Sequence, residues 1–119
     1  MTHKDTIIKK YPELFRDCYD FSIGDGWMKI VSVLCRDIEK IRLTLPKKDA
    51  KEIYVKQVKE KFGSLRFYIG GGNDVMHNLI WNAENECART CEDCGKPGEI
   101  NRNKDGWLRC LCPVCRKKK

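Results

Sequence analysis

The stretch Ile53-Tyr54-Val55-Lys56-Gln57-Val58-Lys59-Glu60-Lys61-Phe62-Gly63-Ser64-Leu65-Arg66-Phe67-Tyr68-Ile69 decides the fold. Over residues 52–60, Ile53, Val55 and Gln57 alternate with Tyr54, Lys56 and Val58. A period of two belongs to a strand, whose successive side chains leave opposite faces. Lys61-Phe62-Gly63-Ser64 reads as a turn, and Leu65, Phe67 and Ile69 then alternate with Arg66 and Tyr68. Two alternating runs joined by a short glycine-containing turn predict a β-hairpin.

Outward from the hairpin the period changes. Apolar residues at 27, 30, 31, 34, 38, 41 and 45 keep helical spacing, so a long amphipathic helix is expected over 26–44, stopped by Pro46. Ahead of it, Gly24-Asp25-Gly26 marks a tight turn, with Asp25 as the expected helix cap. Residues 5–20 read as a short helix or helical turns around Pro12, with Leu14, Phe15 and Cys18 on the apolar side. Beyond the hairpin, Gly70-Gly71-Gly72 breaks the chain. Asn73 or Asp74 then caps a helix carrying Val75, Met76, Leu79, Ile80, Ala83 and Cys87. The order is helix, long helix, hairpin, helix. It implies an α+β core over residues 1–89, about three helices packed on a small antiparallel sheet.

Residues 90–119 follow a different logic. Cys91-Glu92-Asp93-Cys94-Gly95 and Cys112-Pro113-Val114-Cys115 are two Cys-x-x-Cys pairs in a segment too short to bury a core of its own. This spacing is that of a four-cysteine zinc site: each short turn aims two sulfurs at one ion. Gly95 lets amides turn toward the thiolates, and Pro113 stiffens the second turn. Cys91, Cys94, Cys112 and Cys115 are the expected Zn2+ ligands of a zinc-ribbon-like module. Cys110 and Cys87 stand close enough in sequence to compete for a place. Such an all-cysteine site is structural, and the metal would supply much of the module's folding energy.

Composition frames these expectations. The chain has 119 residues, eight cysteines and a formal charge of +7. The N-terminal Met-Thr-His-Lys-Asp-Thr-Ile-Ile-Lys-Lys lacks the apolar region of a signal peptide, and no stretch is long and apolar enough to span a membrane. A cytoplasmic setting is expected, where clustered cysteines serve as metal ligands or, as the main alternative, as redox dithiols, rather than as structural disulfides. A zinc ion with four thiolates contributes −2 and would bring the chain to +5. The remaining basic balance favours anionic partners. Lys56, Lys59, Lys61 and Arg66 are interleaved on the hairpin with Tyr54, Phe62, Phe67 and Tyr68, and Arg116, Lys117 and Lys118 belong to a basic tail ending at Lys119. Alternation sends Phe67 to the core and leaves Arg66 and Tyr68 facing out, a pairing suited to phosphates and bases.

Catalysis has little support. His3 and His77 are the only histidines, no nucleophile–histidine–acid set stands out, and neither glycine cluster is followed by the Lys-Ser/Thr of a phosphate loop. Gln57-x-Lys59 has the form of a metal-dependent nuclease hairpin, for which Asp49 or Glu52 would have to supply the acid.

Gly24-Asp25-Gly26-Trp27, the block from Gln57 to Tyr68, Cys91-x-x-Cys94-Gly95 and the final Cys112-x-x-Cys115 together resemble a family of small uncharacterised bacteriophage and prophage proteins. The resemblance spans roughly residues 11–116 and implies a phage setting without an activity. The C-terminal part also resembles zinc-ribbon and treble-clef fingers. The expectation is a zinc-binding phage accessory protein, not an enzyme, that acts by binding nucleic acid. The first alternative is an inhibitor of a host protein, such as a defence nuclease, that works by occlusion. The second is a nucleotide-binding protein that uses the Gly24–Trp27 and Gly70–Asp74 turns.

Overall fold

The computed structural model describes residues 3–118, which leaves Lys119 of the basic tail outside it. The elements are α1 (His3–Lys10), β1 (Asp20–Ser22), a 3-10 turn (Asp25–Trp27), α2 (Met28–Arg42) and α3 (Lys47–Ala50). They continue with β2 (Tyr54–Lys61), β3 (Ser64–Gly70), α4 (Asp74–Cys87), β4 (Glu99–Arg102), β5 (Leu108–Leu111) and α5 (Pro113–Lys118). The class is α+β. A three-stranded sheet of order β1-β2-β3 carries the core, and β4-β5 form a separate two-stranded ribbon.

The hairpin lies where its alternation puts it, with one irregularity. β2 and β3 pair antiparallel, Val58 opposite Phe67 and Lys59 opposite Arg66, and the register shifts between Val55 and Gln57. Lys56 is thus the extra residue of a β-bulge. Strict alternation would place Val55 and Val58 on opposite faces; the bulge lets both reach the core, where each is fully buried. The turn residues Phe62 and Gly63 both have positive φ, 54° and 82°. Two such residues make the primed turn whose twist suits a two-residue hairpin. Glycine does this freely, whereas a residue with a Cβ pays about 1–2 kcal/mol for the left-handed conformation. The Glu60 carboxylate steadies the turn by accepting the Gly63 amide at 2.7 Å.

Three local expectations change. Asp25 does not cap α2 but lies inside the 3-10 turn, and neither that turn nor α2 has a side-chain cap. The first helix ends before Pro12, because proline offers no N–H to continue it; residues 11–17 form turns held by bonds such as Phe15 N–H to the Tyr11 carbonyl, 3.2 Å. β1 was not anticipated. It adds to β2 in parallel, with Asp20 opposite Gln57 and Ser22 opposite Lys59. The cap of α4 is as expected, the Asn73 side chain accepting the Met76 amide at 2.9 Å, a bond worth about 1 kcal/mol.

The core lies between the sheet and helices α2 and α4. Val31, Leu34 and Ile38 of α2 and Met76 and Ile80 of α4 pack with Val55, Val58, Leu65 and Phe67. Trp27 is fully buried at the start of α2. At the far end of α2, Arg42, buried to 8% exposure, grips both carboxylate oxygens of Glu39 one turn earlier at 2.5 and 3.2 Å, and its Nη1 donates to the Ala50 carbonyl of α3 at 3.4 Å.

The C-terminal segment runs from a tight turn at Cys91–Gly95 through the β4-β5 ribbon into α5. Turn, two-stranded ribbon and helix follow in that order, so a short helix stands where the zinc-ribbon expectation had only a basic tail. Pro113 starts the helix, where its missing N–H costs nothing. Lys117 and Lys118 therefore extend a helix.

Candidate functional site

Two short turns bring four sulfurs together. In the first, the Gly95 amide closes onto the Cys91 carbonyl at 2.9 Å, with Gly95 at φ 83°. In the second, Cys112 precedes α5 and its sulfur accepts the Cys115 amide at 3.4 Å. The sulfurs of Cys91, Cys94, Cys112 and Cys115 all lie within 4.8 Å of one another, and those of Cys94 and Cys112 are 3.6 Å apart. A tetrahedral ion with metal–sulfur bonds of about 2.3 Å sets its ligands about 3.8 Å apart, so the cluster fits one four-coordinate soft ion. Among the described residues no other group of three or more such side chains could hold a metal.

The thiols are unequal. The Cys115 amide, joined by neighbouring thiols, holds Cys112 down to about 6. Burial of Cys91 opposes its ionisation, but amides from Cys112, Cys94 and Asp93 outweigh it and lower its pKa. The hydrogen-bonded Cys112 pushes Cys115 up to about 12. Cys94 is also raised: the Lys96 amide favours its thiolate, but desolvation and the sulfurs of Cys112 and Cys91 outweigh that help. Four adjacent thiols cannot all ionise without a cation, and a metal ion supplies it.

The two competing cysteines lie outside this four-sulfur cluster. Cys110 is fully buried, its sulfur against the carbonyls of Cys87, Ala88 and Thr90 at 3.4, 3.4 and 3.1 Å. It caps the end of α4. Cys87 lies in the main core, and burial raises its thiol further above the ordinary range.

The metal turn is built into the rest of the molecule by the Gly24–Trp27 segment. The Gly26 amide donates to the Glu92 carbonyl at 2.6 Å, and the Gly24 amide to the Glu92 carboxylate at 2.9 Å. The Trp27 indole N–H donates to the Thr90 carbonyl at 2.8 Å. A Cβ on Gly26 would overlap the Cys91 carbonyl and stand 2.6 Å from the Gly95 nitrogen. Glu92, 5% exposed, also accepts from Arg109 at 3.2 Å. Burial raises the Glu92 carboxyl pKa, against the pull of the Gly24 amide and Arg109. The docking role escaped sequence reasoning; its one signal was the pair of glycines around Asp25. It also commits the amides of Gly24 and Gly26, in one of the two turns named for a nucleotide, to Glu92.

The sequence-derived binding residues separate into groups. Directly paired residues share a sheet face, so Asp20, Gln57 and Tyr68 lie together, beside Ser22, Lys59 and Arg66, with Lys61 opposite Ser64 at the tip. Tyr68 is 46% exposed. Lys56 is exposed at the bulge. Arg116 is not available as expected: its Nη2 donates to the carbonyls of Glu99 and Leu111 at 2.6 and 3.1 Å, stapling α5 to the ribbon. For the nuclease-like pattern, the acid beside Gln57 is Asp20, which accepts the Gln57 amide at 3.0 Å. Asp49 lies on α3 and Glu52 just after it.

Fold and centre together define a small α+β protein with a four-cysteine finger locked onto its core. No protein-family model, curated protein or solved structure matches the chain. No helix among the described residues is long and apolar enough to cross a membrane.

Proposed function

We infer that the protein is a zinc-stabilised binding module of a phage or prophage and that its partner is nucleic acid. Zinc suits the site because four thiolates in a closed tetrahedron leave no position for a substrate, which is the chemistry of a structural ion. The phage setting rests on the sequence resemblance. The observation that carries the partner is the outward sheet face, where Lys59 and Arg66 sit opposite each other with Tyr68 and Lys61 alongside. A cationic face set with an exposed ring offers phosphate contacts and a stacking surface at once. The remaining charge of the chain favours a polyanion.

Two measurements on one preparation test this. Elemental analysis should find one zinc per chain. Anisotropy titrations with single-stranded and duplex DNA and RNA should show binding at low salt that weakens as salt rises. A chain that holds one zinc yet binds none of these at low salt overturns the nucleic-acid reading.

Occlusion of a host protein has one observation behind it. A groove of about 590 Å³ runs between α2, α4 and the metal turn, its lining including Ile30, Val33 and Leu79 as well as Asp25, Lys29 and Glu86. Capture of a host protein by the wild-type chain, lost on Val33→Asp, would support that reading.

A further inference from the structure

The hairpin tip and the finger meet. Gly63 packs against Ile100 and the backbone of Arg109, close enough that a Cβ there would stand 2.9 Å from the Ile100 side chain. Beside this contact runs a cleft of about 410 Å³ between β2, the turn and the ribbon, lined among others by Lys59, Lys61, Phe62, Asn103, Trp107 and Arg109. Two large rings at the cleft are open to solvent, Phe62 at 56% and Trp107 at 66% exposure.

Packing explains neither ring. Phe62 holds φ 54° in a turn that Asn-Gly would form with less strain. Its ring lies 5.6 Å from the Lys61 ammonium. A bulky residue kept in a strained, exposed position points to a role outside the fold. Trp107 follows Gly106 at the end of the ribbon turn, its backbone amide held by the Asn103 side chain at 3.0 Å, which fixes the chain from which the indole projects.

The Glu60 carboxylate keeps its charge but is turned to the Gly63 amide, and Arg109 is balanced by Glu92 and Asp93 at 3.2 and 3.6 Å, so the two lysines are the cations left for an anion. Lys59 and Lys61 take part in no salt bridge among the described residues.

We propose that this cleft binds single-stranded nucleic acid, with bases stacked on Phe62 and Trp107 and phosphates held at Lys59 and Lys61. The proposal rests on the nucleic-acid reading above and narrows it. Ring faces stack on unpaired bases, which a duplex keeps inside its own stack. The finger then serves function through position, by holding Trp107 beside the hairpin tip.

The test uses the zinc-loaded full chain with labelled oligothymidylate, oligouridylate and a duplex of the same length. The single strands should bind more tightly than the duplex. Trp107→Ala and Phe62→Asn should each weaken single-strand binding about tenfold or more. Phe62→Asn should raise Tm at the same time, because asparagine suits the turn, so its loss of binding cannot come from unfolding. Trp81→Ala, which removes an exposed ring from α4, should leave affinity unchanged. If both cleft variants bind like the wild type, the cleft is overturned and nucleic-acid binding stands. Equal or tighter binding of the duplex overturns the single-strand assignment. No binding by any form at low salt overturns both.

Discussion

Gly26 does more for this molecule than its size suggests. It lets the start of α2 touch the backbone of the metal turn, where any side chain meets carbonyl and amide groups rather than a yielding side chain. Gly26→Ala should therefore cost about 3 kcal/mol, the upper end of overpacking. Gly106→Ala, in open space at φ 85°, should cost about 1 kcal/mol. Denaturant midpoints compare them; equal costs would contradict the docking. Cysteine spacing made the ligand set legible, but not the exclusion of Cys110, which depends on where α4 ends. Cys94→Ser should lose the metal by elemental analysis and Cys110→Ser should keep it. The thiols also predict proton release. In the metal-free chain Cys112 ionises near 6 whereas Cys115 is pushed up to about 12. Near neutral pH Cys112 is already a thiolate, so metal binding should release fewer than four protons, Cys94 and Cys115 supplying most. Because Cys94 and Cys115 still carry protons near neutral pH, affinity should already fall as pH drops through that range, and fall more steeply below about 6, where Cys112 takes up a proton as well. Calorimetry in buffers of different ionisation enthalpy reads the count; release of four protons would contradict this ordering.

At the scale of elements, the hairpin and the two long helices were readable because each keeps one period over many residues. The bulge at Lys56 was legible only as an anomaly: Gln57 fell where an apolar residue was due and Val58 where a polar one was. β1 was hidden, since three residues of Asp-Phe-Ser carry no period and a parallel partner 37 positions away leaves no local trace. α5 was hidden for a related reason, its first turn lying inside the second cysteine pair. The finger's dependence on its ion follows from how little it buries. Its own cluster is Cys91, Leu111, Cys112 and Cys115. Removing the metal with a chelator should abolish hydrogen-exchange protection in β4, β5 and α5 and weaken it at Gly24 and Gly26, while α2, β2, β3 and α4 keep theirs. Unchanged protection in the ribbon would show that the metal is not what folds it.

For the whole molecule, the finger and the sheet form one surface. Glu92 joins the metal turn to Gly24, Gly26 and Arg109, and Gly63 rests on Ile100, so the cationic sheet face and the ribbon's Trp107 keep a fixed relation. Sequence showed the basic and aromatic residues but not that Phe62 and Trp107, 45 positions apart, would share a cleft, because that adjacency is made by the docking of the finger. The most direct test of nucleic-acid binding is the salt dependence of affinity for oligothymidylate with the zinc-loaded chain. Three or four phosphate contacts predict a slope of log K against log salt of about −2 to −3, shallower by about one unit when Lys59 and Lys61 are both changed to alanine. Affinity that does not depend on salt, or a slope that the double change leaves untouched, would contradict an electrostatic grip on a nucleic acid backbone at this face.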